Sequence, residues 1–325
     1  MRAEKRKKKP KWLKVIGILF LVLLIGGGGY AFMVYKSLTD AVQTMHQPID
    51  REKSDKRPEK ITLAKKEPFS VLMLGVDERS GDKGRSDTMI VLTVNPNNKS
   101  IKMLSIPRDT RTEIVGKGFE DKINHAYAFG NEEMSMATVE NFLDIPLDYY
   151  IKVNMEGFKD IVDAVGGITV NSSLSFNQGS YQFTEGSNNL NGDAALAYVQ
   201  MRKQDPKGDF GRQDRQRQII QGVIKKGISV NSLTNFDDIF GALGKNVRTN
   251  MTFAEMKDIQ KNYRDAAGNI EQMTISGNGQ TINKIWYLII SSDEQQRVQN
   301  ELKAHLELKK KKVKGRRTFR FIHLR

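Results

Sequence analysis

The stretch FSVLMLGVDERSGDKGRSDTMIVLTVNPNNKSIKMLSIPRDTRT, residues 69–112, decides how the chain is read. It holds three apolar runs, Phe69–Val76, Thr88–Val94 and Ser100–Ile106, and each reads as a strand. Charges stand at one end of every run. Asp77, Glu78 and Arg79 follow the first, Arg85 and Asp87 precede the second, and Arg108, Asp109 and Arg111 follow the third. If the first two runs pair antiparallel, and the third folds back on the second through the turn Asn95–Lys99, all three clusters meet at one edge of a rigid sheet. Arginines with a few carboxylates at such an edge suit a phosphate and a divalent cation.

Further along, periodicity and capping signals alternate helix and strand. Helices are expected over Glu132–Leu143, Met155–Val165, Gly192–Arg202 with Asn191 as N-cap, Arg212–Lys226, a helix opened by the capping box Thr252–Glu255, and Ser292–Leu308. Strands are expected at Asp148–Val153, Ile168–Val170, Glu271–Gly277 and Lys284–Ile290, and Asn171–Asn188 reads as an irregular excursion. Alternation over some 240 residues argues an α/β domain, a central mixed sheet flanked by helices.

The domain sits inside an asymmetric chain of 325 residues. Residues 1–14 carry eight Lys/Arg and one Glu, and residues 309–325 carry nine Lys/Arg and no acid. Against a total of +14, these tails leave residues 15–308 close to neutral, so the high pI is no sign of a nucleic-acid face. Val15–Tyr35 has no charge over 21 residues, long enough as a helix to cross ~30 Å of bilayer core. The basic flank before it places the N-terminus in the cytoplasm and the rest outside, and Trp12, Tyr30 and Tyr35 sit at interfacial positions. No A-x-A-like cleavage site follows, which favours an uncleaved anchor over a signal peptide. The expected layout is a cytoplasmic basic tail (1–14), a transmembrane helix (15–35), a polar stalk (36–68), a catalytic domain (69–308) and a basic C-terminal tail (309–325). There is no Cys, hence no disulfide, thiolate metal site or Cys nucleophile.

Three clusters carry the chemistry. In GVDER (75–79) with RSDT (85–88), Asp77 and Asp87 can hold a hard cation through oxygen, and Arg79 and Arg85 can grip phosphate oxygens. In SIPRDTR (105–111), Arg108 is fixed directly after a strand end. In RKQDPKGDFGRQDRQ (202–216), Arg202 closes one helix while Arg212 and Arg215 open the next, where backbone N–H groups also favour an anion. Each cluster also has a plainer reading, as surface ion pairs or helix-end charge pairing. His125 is a lone histidine and reads as a hydrogen-bonded structural residue. No Walker A, GxGxxG, HExxH or GxSxG pattern is present, so the common nucleotide, zinc and serine-hydrolase sites are not indicated.

LGVDER, GRSDTMIVLTVNP, MLSIPRDT, DKINHAYAFG, VDAVGGITV, LNGDAALAYVQMRK and GDFGRQDRQ, in this order after one membrane anchor, resemble the LytR–CpsA–Psr family from about Val71 to Leu308. The resemblance implies a phosphotransferase of Gram-positive envelopes. It would take an anionic glycopolymer, wall teichoic acid, from a polyprenyl-pyrophosphate carrier. It would join that polymer by a phosphodiester to the C6 hydroxyl of N-acetylmuramic acid in peptidoglycan. It implies an apolar groove for the lipid and Mg²⁺ (or Mn²⁺) held by Asp77 and Asp87. Arg79, Arg85, Arg108, Arg202, Arg212 and Arg215 would lie on phosphate oxygens, with Arg108, Asp87, Arg202 and Arg212 as the catalytic set. Asp87, Asp109 and Asp209 remain open as the general base. Gln200 stands where many members have Arg, and the tail KKKKVKGRRTFRFIHLR is outside the pattern. The competing readings are a pyrophosphate hydrolase acting on the same lipid, and a non-catalytic envelope regulator or binding module.

Overall fold

The computed structural model describes Met33, Lys36 and residues 39–40, 42–77, 84–229, 243–244 and 246–308. The expected membrane span, apart from Met33, the basic tails and Arg79 lie outside the described residues.

The three expected strands form as read: β1 (Phe69–Val76), β2 (Ser86–Asn95) and β3 (Ser100–Ile106). β1 and β2 pair antiparallel, as do β2 and β3. β4 (Tyr149–Val153) adds parallel to β1, β5 (Val247–Thr249) antiparallel to β4, and β6 (Ile270–Met273) parallel to β3. The result is a six-stranded mixed sheet of order β5-β4-β1-β2-β3-β6. β1 to β3 are apolar almost throughout because both faces of the sheet are covered. Successive side chains alternate between those faces. Leu72, Leu74, Met89, Val91 and Leu104 meet α1 (His125–Leu143) and α6 (Ser292–His305) through Met136, Val139, Phe142, Val298 and Leu302. On the other face Val71, Ile90, Leu92 and Met103 pack with Tyr149, Tyr263 and Ala266.

A third core lies beside the sheet. It is built by α2 (Met155–Ala164), α3 (Gly192–Gln200) and the start of α4 (Asp209–Ser229), with Ile168, Val170, Phe176 and Phe183. The expected excursion 171–188 is in fact ordered as strands. Phe176–Gln178 pairs with Tyr181–Phe183, and Gly186–Leu190 pairs with Ile168–Ser172. Four to six polar residues between short runs hide alternation that only Phe176 and Phe183 reveal. The Thr252 capping box opens α5 (Phe253–Tyr263) as expected. α1 starts earlier than Glu132 and bends at Gly130 and Asn131, which leave helical geometry.

Residues 42–68, expected as a stalk, lie against the domain. Val42, Met45 and Leu63 are buried. Arg57 makes a two-pronged bond to Asp148, at 2.5 and 2.7 Å, while Asp148 also accepts from the Ser70 N–H. Arg51 holds Glu140 at 2.6 Å. The polar composition of this segment, which reads as a linker, supplies the clamps that fasten it.

Candidate active site

β1, β2 and β3 deliver their charged ends to one edge, as the pairing requires. Val76 pairs with Ser86 and Gly75 with Thr88, so Asp87 is the extra residue of a β-bulge. Bulges re-aim a side chain where a regular strand would alternate it away. Asp87 Oδ1 accepts from Arg108 Nη1 at 2.8 Å, joining the β2 start to the β3 end. Pro107 ends β3, and the Pro107–Thr110 turn, closed by Thr110 N–H on the Pro107 carbonyl, fixes Arg108.

The third cluster reaches the same place from α4. That helix begins at Asp209, three residues before the expected start, so Asp209 sits in its first turn, where an acidic side chain complements the dipole. Arg212 Nη2 lies 2.7 Å from Asp209 Oδ1, and Arg202 Nε lies 4.0 Å from the same oxygen. Gln216, one turn beyond Arg212, donates to Thr88 Oγ1 on β2 at 2.8 Å and pins the helix to the bulged strand. Its i+4 spacing from Arg212 was the signal available in the sequence.

The electrostatics are unbalanced in a telling way. For Arg108, burial opposes the charge, but the Asp87 hydrogen bond and the charges of Asp87, Asp209 and Asp109 outweigh it, and its pKa is raised. For Arg212, burial dominates. Asp209 and Asp87 pull the other way, but the nearby cations Arg108 and Arg202 add to the burial, and its pKa is lowered. Guanidinium stays protonated at any ordinary pH, so the lowering marks a charge held largely out of water, with two further cations beside it, which an anionic ligand would help to stabilise. Arg108 Nε, Arg212 Nε and Asp209 Oδ1 are buried without a hydrogen bond. The Arg212–Asp209 approach is thus an ion pair without hydrogen-bond alignment. Two orphaned N–H donors at one edge suit the oxygens of an anionic ligand, and the orphaned Asp209 oxygen suits a hydroxyl donor.

Two arginines depart from expectation. α3 ends at Gln200, and Met201 is extended and buried in the third core, so Arg202 stands beyond the helix and is 54% exposed. Arg202 therefore answers to Asp209 rather than to a helix C-terminus. Arg215 is a correction to the phosphate set. Its side chain is 6% exposed, Nη1 donates to Asp205 Oδ2 at 2.5 Å, Nε to the Tyr198 carbonyl at 3.0 Å, and Nη2 to the Met201 carbonyl. It lies over the rings of Phe176 and Tyr198. The bend between α3 and α4 is built around it. Gly211 is glycine because a Cβ there would stand 1.8 Å from Asp205 Oδ2.

Arg85 is exposed at the site edge, without a hydrogen bond or ion pair among the described residues. Asp77 ends β1 next to the bulge, and Asp87 engages only Oδ1 and is 45% exposed. Two carboxylates on neighbouring strands, with no sulfur or imidazole donor, fit a hard divalent cation that completes its shell with water and phosphate oxygens. The sequence also gave no warning of Lys122, which donates to Asp109 Oδ1 at 2.6 Å. His125 behaves as a structural residue, with Nδ1 held by Asp121 Oδ2 at 2.7 Å.

A family model described as the LytR_cpsA_psr family matches residues 32–304. The polyisoprenyl-teichoic acid–peptidoglycan teichoic acid transferase TagU of Bacillus cereus (strain AH820) is 54% identical over 307 residues, which cover 94% of this chain and all of that protein. Among solved structures, Bacillus subtilis TagU is 51% identical with a TM-score of 0.62, covering 75% of this chain and 99% of that one. The LytR-CPS2A-psr family protein YwtF (TagT) with bound octaprenyl pyrophosphate lipid is 28% identical with a TM-score of 0.66, covering 81% of this chain and all of that one.

Proposed function

From its membership of the LytR–CpsA–Psr family, and from the arginine cluster at the sheet edge, we propose that this chain is an envelope phosphotransferase. It moves a teichoic acid from a polyprenyl-pyrophosphate carrier to peptidoglycan, the reaction named for its relatives. The product is a phosphodiester to the muramyl C6 hydroxyl. What carries the reading is Arg108 and Arg212 brought together beside Asp87 and Asp209, with Nε atoms that make no hydrogen bond within the protein.

A pyrophosphate already contains its leaving group, so the protein must mainly position it and neutralise charge. Arg108 and Arg212 offer Nε–H groups that make no hydrogen bond within the protein to phosphate oxygens, and Arg202 and Arg85 add exposed cations at the rim; Arg79, outside the described residues, is expected with them from the family pattern alone. Asp77 and Asp87 would hold Mg²⁺, which supplies charge neutralisation on the pyrophosphate when bound. The acceptor oxygen attacks the sugar-bound phosphorus, the bond from that phosphorus to the bridging oxygen breaks, and polyprenyl phosphate departs. The hydroxyl proton would go to a carboxylate of this cluster, Asp87, Asp109 or Asp209, each of which already faces at least one cation. Ile220 and Ile224 of α4, Met256 and Ile259 of α5, and Met73 and Ile151 of the sheet are partly buried over the second core, and these are the apolar side chains we assign to the prenyl chain. The uncharged run 15–35 after a basic flank is what supports a single-pass anchor with the domain outside the cytoplasm.

The test supplies the full chain in detergent with a short polyprenyl-pyrophosphate glycan, Mg²⁺ and an uncrosslinked peptidoglycan oligomer. Mass spectrometry should find a phosphodiester-linked product that disappears without acceptor. Polyprenyl phosphate released to water, with no linked product, would replace the transferase by a hydrolase.

A further inference from the structure

A hairpin that the transfer chemistry leaves without a role stands beside the site. Asn278–Ile282 pairs with Ile285–Ile289 across the two-residue turn Asn283–Lys284, both residues of which have positive φ, as a type I′ turn requires. Its root is fixed to the Arg108 turn. Leu288 N–H donates to the Asp109 carbonyl at 2.9 Å, and Tyr287 Oη donates to Asp121 Oδ1 at 3.2 Å. Leu288 also bridges in parallel to Thr110. Moving back from Leu288 therefore leads toward the turn that carries Arg108. Trp286 lies two residues that way, about 7 Å along the strand.

Trp286 is 49% exposed although it is a large aromatic side chain on a well-paired strand. Its orientation is set by Gly279, diagonal to it in the hairpin. A Cβ at Gly279 would stand 2.9 Å from Trp286 Nε1, 3.1 Å from Cζ2 and 3.2 Å from Cε2. Those atoms form one edge of the indole, so the ring is seated by that edge while half of the residue stays exposed. Thr281, directly opposite Trp286 and so on the same face, and Asn283 in the turn are exposed, and their side chains make no hydrogen bond among the described residues. An oriented, half-exposed indole with an uncommitted hydroxyl opposite it and an amide at the adjoining turn fits the apolar C–H face and the hydroxyls of a pyranose.

We infer that Trp286 is a stacking platform for an N-acetylhexosamine ring of the acceptor glycan, with Thr281 and Asn283 addressing its polar groups. The inference rests on the transferase reading for the identity of the glycan. A bilayer is the other surface that takes exposed tryptophan. The hairpin favours sugar: Lys284 is its one charged residue, far short of the basic cluster that holds an anionic membrane, and the indole is anchored along one edge against Gly279.

The chain has two tryptophans, so Trp12→Phe leaves Trp286 as the sole indole of the full protein. In detergent, titration with the N-acetylglucosamine tetramer should shift and quench its emission saturably. In the transfer assay Trp286→Ala should raise the acceptor KM about three- to tenfold with kcat held within twofold, and Trp286→Phe should recover most of the loss. Emission unmoved by the tetramer, together with an unchanged acceptor KM, would overturn the platform while leaving the transferase intact. A tetramer response in a protein that forms no linked product would sink the transferase and keep the platform. Quenching by brominated phosphatidylglycerol in reconstituted vesicles would assign the hairpin tip to the membrane instead.

Discussion

Arg212 and Arg215 lie three residues apart on one helix, and the fold uses them oppositely. Arg215 is fully committed: a buried carboxylate, two backbone carbonyls and two aromatic rings surround it. Arg212 is nearly as enclosed, at 16% exposure, yet its Nε has no partner, and cations rather than rings crowd it. A buried guanidinium with each of its three nitrogens hydrogen-bonded holds a structure together. One left short of partners at a sheet edge is there for a ligand. The test of that distinction is whether stability and activity separate between the two.

The largest effect should come from Arg215→Ala. Removing one partner of a buried ion pair leaves Asp205, itself 3% exposed, without compensation, and such a loss costs about 3–5 kcal/mol. Urea or thermal unfolding of the variant should show it, with activity falling only as far as the folded fraction does. A stable Arg215→Ala enzyme that fails in turnover would erase the difference and restore Arg215 to the phosphate set.

Next come Arg108→Ala and Arg212→Ala. Donors aimed at charge that develops in the transition state are worth roughly 10²–10³ in kcat. Both variants should lose about that much in a transfer assay while unfolding close to the parent. Loss of the fold in either would make it a second Arg215. Gly211→Ala should be milder, about 1–3 kcal/mol of stability, because its methyl displaces Asp205 and loosens Arg215. Differential scanning calorimetry should see a lower Tm and a rate decline no larger than the unfolding explains.

The two arginines also mark where the sequence was legible. β1 and β3 appear between the residues expected, and β2 one or two residues longer at each end, because a strand covered on both faces leaves a continuous apolar run. Antiparallel pairing alone then carries Arg108 to Asp87. The segment 202–216 could not be read that way. A stretch such as RKQDPKGDFGRQDRQ shows that a bend is coming, but not that Met201 turns into the third core, ends α3 two residues early and lends its carbonyl to Arg215. The hairpin strand Asn278–Ile282 was equally silent. Four of its five residues are exposed, so no alternation marks it, and its role as the seat of Trp286 depends on a glycine that sequence offers only as a turn.

The smallest effect tests the far end of the sheet, where polar burial is complete. His305 is 4% exposed, with Nδ1 2.7 Å from Thr93 Oγ1 and Nε2 2.9 Å from Ser100 Oγ. Burial first, and then the nearby Lys102, push its pKa below the usual 6.5, against weaker pulls from Glu271, Glu307 and Glu301. The unfolded chain therefore binds the proton more readily than the folded one. Stability carried by neutral His305 should be complete above about pH 6.5 and should drain away as pH falls from there through its folded pKa. His305→Gln, which cannot take up that proton, should flatten this part of the stability–pH curve in chemical unfolding between pH 8 and 5. A curve equally steep in both proteins would place the acid sensitivity in the half-paired site instead, and the separation between filled and waiting polar groups would no longer run from one end of the sheet to the other.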